Sequence, residues 1–312
     1  MAALHSISIS GQILLDMHSL NNEAAEGNQQ ITRMVHIVDK DGKLAVVNAV
    51  SGDMLKHIQA VHFQALAEAR KLPLCGGCAL GDANRVNLDS AFISTLPKDD
   101  NADGLDKVLQ HCAMDDAEGV LITAGDRSLP RKSTVEFGWL VGLPESTRTE
   151  SYFHVKYDLR SRGKGGGDES GANIGQNIFY RPASSGVYAA VCTVEVGRVG
   201  YNDISRKYAI DDAARKTRAR TVLESVAYTF VRPAGAHRNT QNPHILDFKG
   251  AVSASIGPVP APIVSALRPG FEAEMKAVAE QLNRSWPGSV QVLEFTSLSE
   301  FARIMTDLAE AL

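Results

Sequence analysis

Residues 7–30 read "ISISGQILLDMHSLNNEAAEGNQQ". From Ile7 through Ile9, Ile13, Leu15 and Met17 the apolar side chains return mostly at every second position, the period of a β-strand with one buried face. Ser19 to Gln30 then breaks the pattern with two adjacent asparagines, two glutamates and a glycine, and reads as a polar loop held by the strand behind it. A sheet is the expected foundation.

Toward the C-terminus, "ITRMVHIV" (31–38) and "KLAVVNAV" (43–50) flank "DKDG", whose Asp41-Gly42 pair signals a tight turn between antiparallel strands. "SGDMLKHIQAVHFQALAEARKL" (51–72) switches period: Leu55, Ile58, His62, Leu66 and Ala69 fall three or four apart, and Ser51 is placed to cap a helix of about five turns. Between Leu72 and Leu143 the pattern is irregular. The breakers "CGGC", "PKDDNADG" and "DRSLPRKS" mark an insertion over about 73–149, within which "GVLI" and "TVEFGWLVGL" suit short strands.

"SYFHVKYDL" (151–159) and "IFYRPASSGVYAAVCTVEV" (178–196) are strand-like, and the glycine-rich "RSRGKGGGDESGANIG" (160–175) between them predicts a projecting, basic hairpin tip. "DDAARKTRARTVLESVAYTF" (211–230) is helical in pattern, and "PHILDFKGAVSASIG" (243–257) returns to extended structure. Two amphipathic helices close the chain, one with a stripe of Phe271, Met275, Val278 and Leu282, the other with Leu298, Phe301, Ile304, Met305, Leu308 and Leu312. No internal repeat is present. The order predicts one α+β domain, residues 1–312, on an antiparallel sheet.

At 312 residues and 44% hydrophobic content the chain can bury a sizeable core. It holds no run of about 18 apolar residues and no charged start followed by an apolar segment, so a soluble cytoplasmic protein without a membrane partner is expected. Four cysteines are too few for a disulfide scaffold and are expected to be reduced. The net charge of −4 does not announce a nucleic-acid binder, although basic residues cluster at Arg131 and Lys132, at Arg160, Arg162 and Lys164, and at Arg215, Lys216, Arg218 and Arg220.

Common enzyme signatures are missing: there is no phosphate loop, dinucleotide fingerprint, His-Glu-x-x-His helix or Gly-x-Ser-x-Gly elbow. No cofactor is required on this reading. "CGGC", Cys75 to Cys78, has the spacing of half a zinc knuckle, and His111 with Cys112 would supply the other two ligands of a structural zinc site. The alternative is a set of buried free thiols, which pack as small hydrophobes.

Three separated motifs, "SGQILLDMHSLNNEAAEGNQ", "NAVSGDMLKHI" and "NIFYRPASSGVYAAVCTVEVGRVGYND", together resemble the DevR-like branch of the Cas-seven family, the backbone subunits of type I CRISPR Cascade complexes, of a type I-B-like kind. The resemblance implies a modified RNA-recognition-motif (ferredoxin-like) core with finger-like insertions and a thumb hairpin, here about 153–180. It also implies a non-catalytic protein that stacks with copies of itself along a CRISPR RNA, meets other Cascade subunits, and presents the guide to target DNA.

Carried onto this sequence, the resemblance places Asn21, Asn22, Gly27, Asn28 and Arg33 near RNA or a neighbouring subunit. Ser51, Lys56 and His57 would lie where a helix N-terminus and a lysine suit a phosphate. Arg131 and Lys132 are further candidate RNA contacts. In the thumb, Arg160, Arg162 and Lys164 would hold guide phosphates, and Ile174, Gln176 and Asn177 would interrupt stacking or hold a displaced base. A protein displaying a guide should grip backbone and shape, leaving base edges free.

Two other functions compete. Relatives in type III complexes cut RNA with a carboxylate in the loop after the first strand, where this chain has Asp16, Glu23 and Glu26. A transcriptional regulator is the third reading, without a recognisable helix-turn-helix or zinc-finger pattern to support it.

Overall fold

A computed structural model describes residues 4–124, 127–157 and 176–312. The chain opens with β1 (Ser6–His18), the expected strand. It is flanked by two long antiparallel partners, β10 (Gln176–Val194) and β13 (His244–Ser255), with Ile7 opposite Val194 on one side and Ala254 on the other.

The hairpin expected at Asp41-Gly42 is formed by β4 (Met34–Val38) and β5 (Leu44–Val50), and Asp39 Oδ1 accepts the backbone N–H groups of Asp41 and Lys43 in its turn. The segment Ser19–Gln30 differs from the loop expectation: it folds into a second small hairpin, β2 (Asn22–Glu26) and β3 (Gln29–Thr32), turning at Gly27 with φ +60°. Nearly all of β2 is exposed on both faces, so no burial pressure imposes an apolar alternation on its sequence.

Helix α1 (Gly52–Ala69) begins where predicted, with Ser51 Oγ accepting the Met54 N–H. After it, residues 73–134 form α2 (Gly76–Ala79), α3 (Ser90–Ile93), α4 (Asn101–His111) and α5 (Ala113–Glu118), then the strand pair β6 (Val120–Ile122) and β7 (Leu129–Arg131). Their buried side chains, among them Leu105, Val108, Leu109 and Ile122, join the same apolar core as the sheet. Residues 135–149 belong to the sheet itself, in β8 (Val135–Phe137) and the first half of β9 (Leu140–Tyr157), both antiparallel to β10.

Past β10 come the short pair β11 (Tyr201–Asn202) and β12 (Lys207–Tyr208), helix α6 (Asp212–Val231), helix α7 (Phe271–Ser285), strand β14 (Val290–Phe295) and helix α8 (Leu298–Glu310). The main sheet runs β14-β13-β1-β10-β9-β5-β4. With α1 between β1 and the β8/β9 strand, and α6 between β10 and β13, the central order β13-β1-β10-β9 is that of a modified RNA-recognition motif. The fold is α+β, with its core between the sheet and α1, α6 and α8. Phe230, Phe248, Phe295 and Phe301 meet there with ring centroids 4.9–5.5 Å apart. No described helix is long and apolar enough to cross a membrane.

The opposite sheet face is also covered. Ser8 Oγ donates to the Ala261 carbonyl (3.0 Å), Gln12 Nε2 to Ala266 (2.8 Å) and Ser253 Oγ to Pro262 (2.6 Å). Ser8 of "SISIS" and Ser253 and Ser255 of "VSAS" therefore satisfy carbonyls of the proline-containing strap 257–270. Ser8 is buried for this reason, whereas an isolated amphipathic strand would expose it.

Candidate nucleic-acid interface

The β2–β3 hairpin leans on the far end of β10. The backbone N–H of Tyr180 donates to the Asn28 carbonyl at 2.9 Å, and the strands bridge in parallel at Gln29 and Tyr180. Between them lies an open cleft of about 570 Å³ lined by residues 22–25, 27–30 and 179–181. Asn22, Gly27 and Asn28, three of the expected contacts, line it.

The hairpin is anchored from behind. Asn21 is buried, and its side-chain Oδ1 accepts the Ser51 backbone N–H at 2.7 Å while its carbonyl accepts the Arg33 N–H at 3.2 Å. Asn21 therefore serves as the joint between the hairpin and the start of α1. Arg33 Nε meets Glu23 Oε1 at 2.5 Å, and its guanidinium sits 5.2 Å from the Trp139 ring centroid. Glu23, a carboxylate of the nuclease reading, is thus engaged by a cation.

Sequence reasoning missed the opposite wall. Phe179 and Arg181 lie on one face of β10, the guanidinium 4.8 Å from the ring centroid, and Arg181 donates to Thr240 Oγ1 at 2.7 Å. On the other face Tyr180 packs edge-on against Phe153 of β9 at 5.8 Å, both rings exposed. The signal was "FYR", an aromatic-aromatic-basic triplet at the edge of the glycine-rich segment. A strand pair bearing exposed rings beside a guanidinium can stack bases without reading their edges.

The expected phosphate site at α1 has a different construction. Lys56 Nζ is bound by Glu118 Oε2 (2.8 Å), Ser133 Oγ (2.5 Å) and the Val135 carbonyl (3.2 Å), so the lysine is the counter-ion of a fully buried carboxylate. The Ser51 N–H is occupied by Asn21, and Asp53 adds negative charge to the first turn. His57 is exposed nearby.

Arg131 is likewise turned inward. Its guanidinium is fully buried and donates to Asp116 Oδ1 (2.9 Å), Asp203 Oδ2 (3.0 Å) and the carbonyls of Asp116, Arg198 and Tyr201. Arg218, from another basic cluster, reaches the same Asp116 at 3.1 Å. These arginines balance a buried carboxylate because an unpaired one would cost several kcal/mol. Lys132 is exposed and pairs with Glu136 at 2.5 Å.

The zinc expectation needs one correction. Cys75, Cys78 and Cys112 are buried together, but the fourth group beside them is Asp115; His111 points elsewhere, its Nε2 3.1 Å from Asp89 Oδ2 and its ring stacked on Phe92. Arg160, Arg162, Lys164 and Ile174 lie outside the described residues. Gln176 and Asn177 open β10, opposite Tyr157 and Lys156.

A profile described as "CRISPR-associated negative auto-regulator DevR/Csa2" matches residues 9–274. The chain belongs to the DevR/Csa2 family. No curated protein matches it. Among solved structures, this DevR/Csa2 chain is similar to one titled "CRISPR RNA-guided surveillance complex, pre-nicking", with a TM-score of 0.52 and 12% identity over 99% of this chain and 100% of that one. A second, titled "CRISPR RNA-guided surveillance complex", gives 0.50 and 14% over 98% and 99%. At such identities the likeness establishes the fold, and it extends over the insertion as well as the sheet.

Proposed function

We propose that this DevR/Csa2 chain is a non-catalytic CRISPR RNA-binding backbone subunit of a type I-B-like surveillance complex. Copies stack side by side along one guide in the cytoplasm, meet the other subunits of the complex, and present the guide for pairing with target DNA. The observation that carries the reading is the cleft between the β2–β3 hairpin and the Phe179-Tyr180-Arg181 wall, in a chain of a CRISPR-associated family. Its polar hairpin offers amides and close backbone approach, while the wall offers rings and a cation; together they suit a single strand held by backbone and stacking.

Self-association has its own support. On the outer hairpin, Met34, Val38, Leu44 and Val46 are exposed on one face, with Leu44 at 78% exposure. Such an apolar edge suits burial against a neighbouring copy.

The test is binding of a repeat-spacer RNA at several salt concentrations, against unrelated single strands of equal length. Affinity that falls with salt and depends little on spacer sequence is expected. Tight sequence-specific binding to duplex DNA, or cleavage of the RNA that is lost on Glu26→Ala, would replace this reading with the regulator or the nuclease.

A further inference from the structure

Away from the cleft, two short stretches of chain meet in the core with the same local design. In "CGGC" Cys75 caps α2 and its Sγ accepts the Cys78 backbone N–H at 3.4 Å; in "CAMD" Cys112 caps α5 and its Sγ accepts the Asp115 N–H at 3.4 Å. Each therefore supplies a capping sulfur and a second ligand three positions on, C-x-x-C facing C-x-x-D. The Ala113 N–H donates to the Pro73 carbonyl at 2.8 Å, which holds the two turns side by side.

One ligand atom from each of Cys75, Cys78, Cys112 and Asp115 lies within 4.8 Å of every other, and all four residues are buried. Tetrahedral zinc with bonds of about 2.3 Å sets neighbouring sulfurs about 3.8 Å apart, so a contraction of about 1 Å or less closes the group on an ion. Cys75 Sγ already stands 3.3 Å from Asp115 Oδ2, and the other oxygen of that carboxylate is buried without a hydrogen-bond partner among the described residues. A buried orphan carboxylate beside three thiols is costly as it stands. Gly77 shows how tightly the turn is built, since a Cβ there would fall 2.1 Å from the Arg85 carbonyl oxygen.

We propose that Cys75, Cys78, Cys112 and Asp115 form a closed structural zinc site that fastens the helical segment 73–118 to the core. Soft thiolates favour zinc over magnesium or calcium, and four protein ligands leave no open position for catalysis. Helix α5 also carries Asp116 and Glu118, the buried partners of Arg131, Arg218 and Lys56, so the ion orders the segment on which those pairs depend. The inference does not rest on the RNA-binding role.

The test is metal analysis of untagged protein by plasma mass spectrometry, with cobalt titration of the reduced, metal-stripped chain. About one zinc per chain and the visible bands of thiolate-bound tetrahedral cobalt are expected. Chelator should expose Cys75, Cys78 and Cys112 to alkylation in the otherwise native protein. Asp115→Asn should weaken zinc binding at least tenfold, and His111→Ala should leave it unchanged. A metal-free protein that shows no cobalt bands overturns the proposal, as does stoichiometric iron. Loss of zinc in His111→Ala with full retention in Asp115→Asn would overturn the ligand set.

Discussion

His18 ends β1 at 2% exposure, its ring edge-on to Tyr188 at 4.9 Å, and burial lowers its pKa from 6.5 to about 4. The unfolded chain takes up this proton near pH 6.5 but the folded chain only near pH 4, so in that window the unfolded state binds more protons. Stability is then full above the window and falls as pH drops through it, by about 3 kcal/mol in total. Urea unfolding at neutral pH and at about pH 4.5 measures this. A His18→Phe chain should lose much of the slope, and an unchanged slope would exclude His18 as its source.

Lys56 belongs to the same scale. Lys56→Met leaves the Glu118 carboxylate buried without its counter-ion and should cost about 3 kcal/mol, with partial recovery in the double variant Lys56→Met/Glu118→Gln. Guide affinity of the folded protein should not change. Equal stability with weakened RNA binding would return Lys56 to the phosphate site that its sequence position suggested.

The elements legible in the sequence are those whose periodicity or turn chemistry is tied to burial. Helix α1, capped by Ser51 and buried through Leu55 and Ile58, and the β4–β5 hairpin, turning at Asp41-Gly42, stand where the pattern put them. The β2–β3 hairpin was invisible because its strands bury almost nothing. The aromatic wall escaped notice because "IFYR" reads equally well as any strand. Basic clusters misled for the opposite reason: charge in sequence does not reveal that Asp116 and Glu118 wait inside the fold. At this scale the wall can be tested through its rings. Tyr180→Ala and Phe179→Ala should each weaken guide binding by roughly 1–3 kcal/mol, regardless of base identity. Fluorescence anisotropy with two guides of different spacer measures it, and full affinity in the double variant would remove the wall from the RNA path.

The whole molecule combines an RNA-recognition-motif sheet covered on both faces, a helical segment packed into the same core, and a β2–β3 hairpin that frames a cleft against one end of β10. The α+β class was readable from the order of strands and helices, while the specific architecture came only through the three motifs of its family. The proposed contact between copies is a property of surface, and the exposed apolar face of β4–β5 is what the folded chain adds to that question.

The most direct measurement is purification of the chain with and without a co-expressed repeat-spacer guide, followed by ribonuclease digestion and particle imaging. A protected guide in regularly repeating particles is predicted, with the repeats lost in Leu44→Glu/Val46→Glu while the monomer stays folded. A monodisperse chain free of RNA under both conditions would contradict the backbone role.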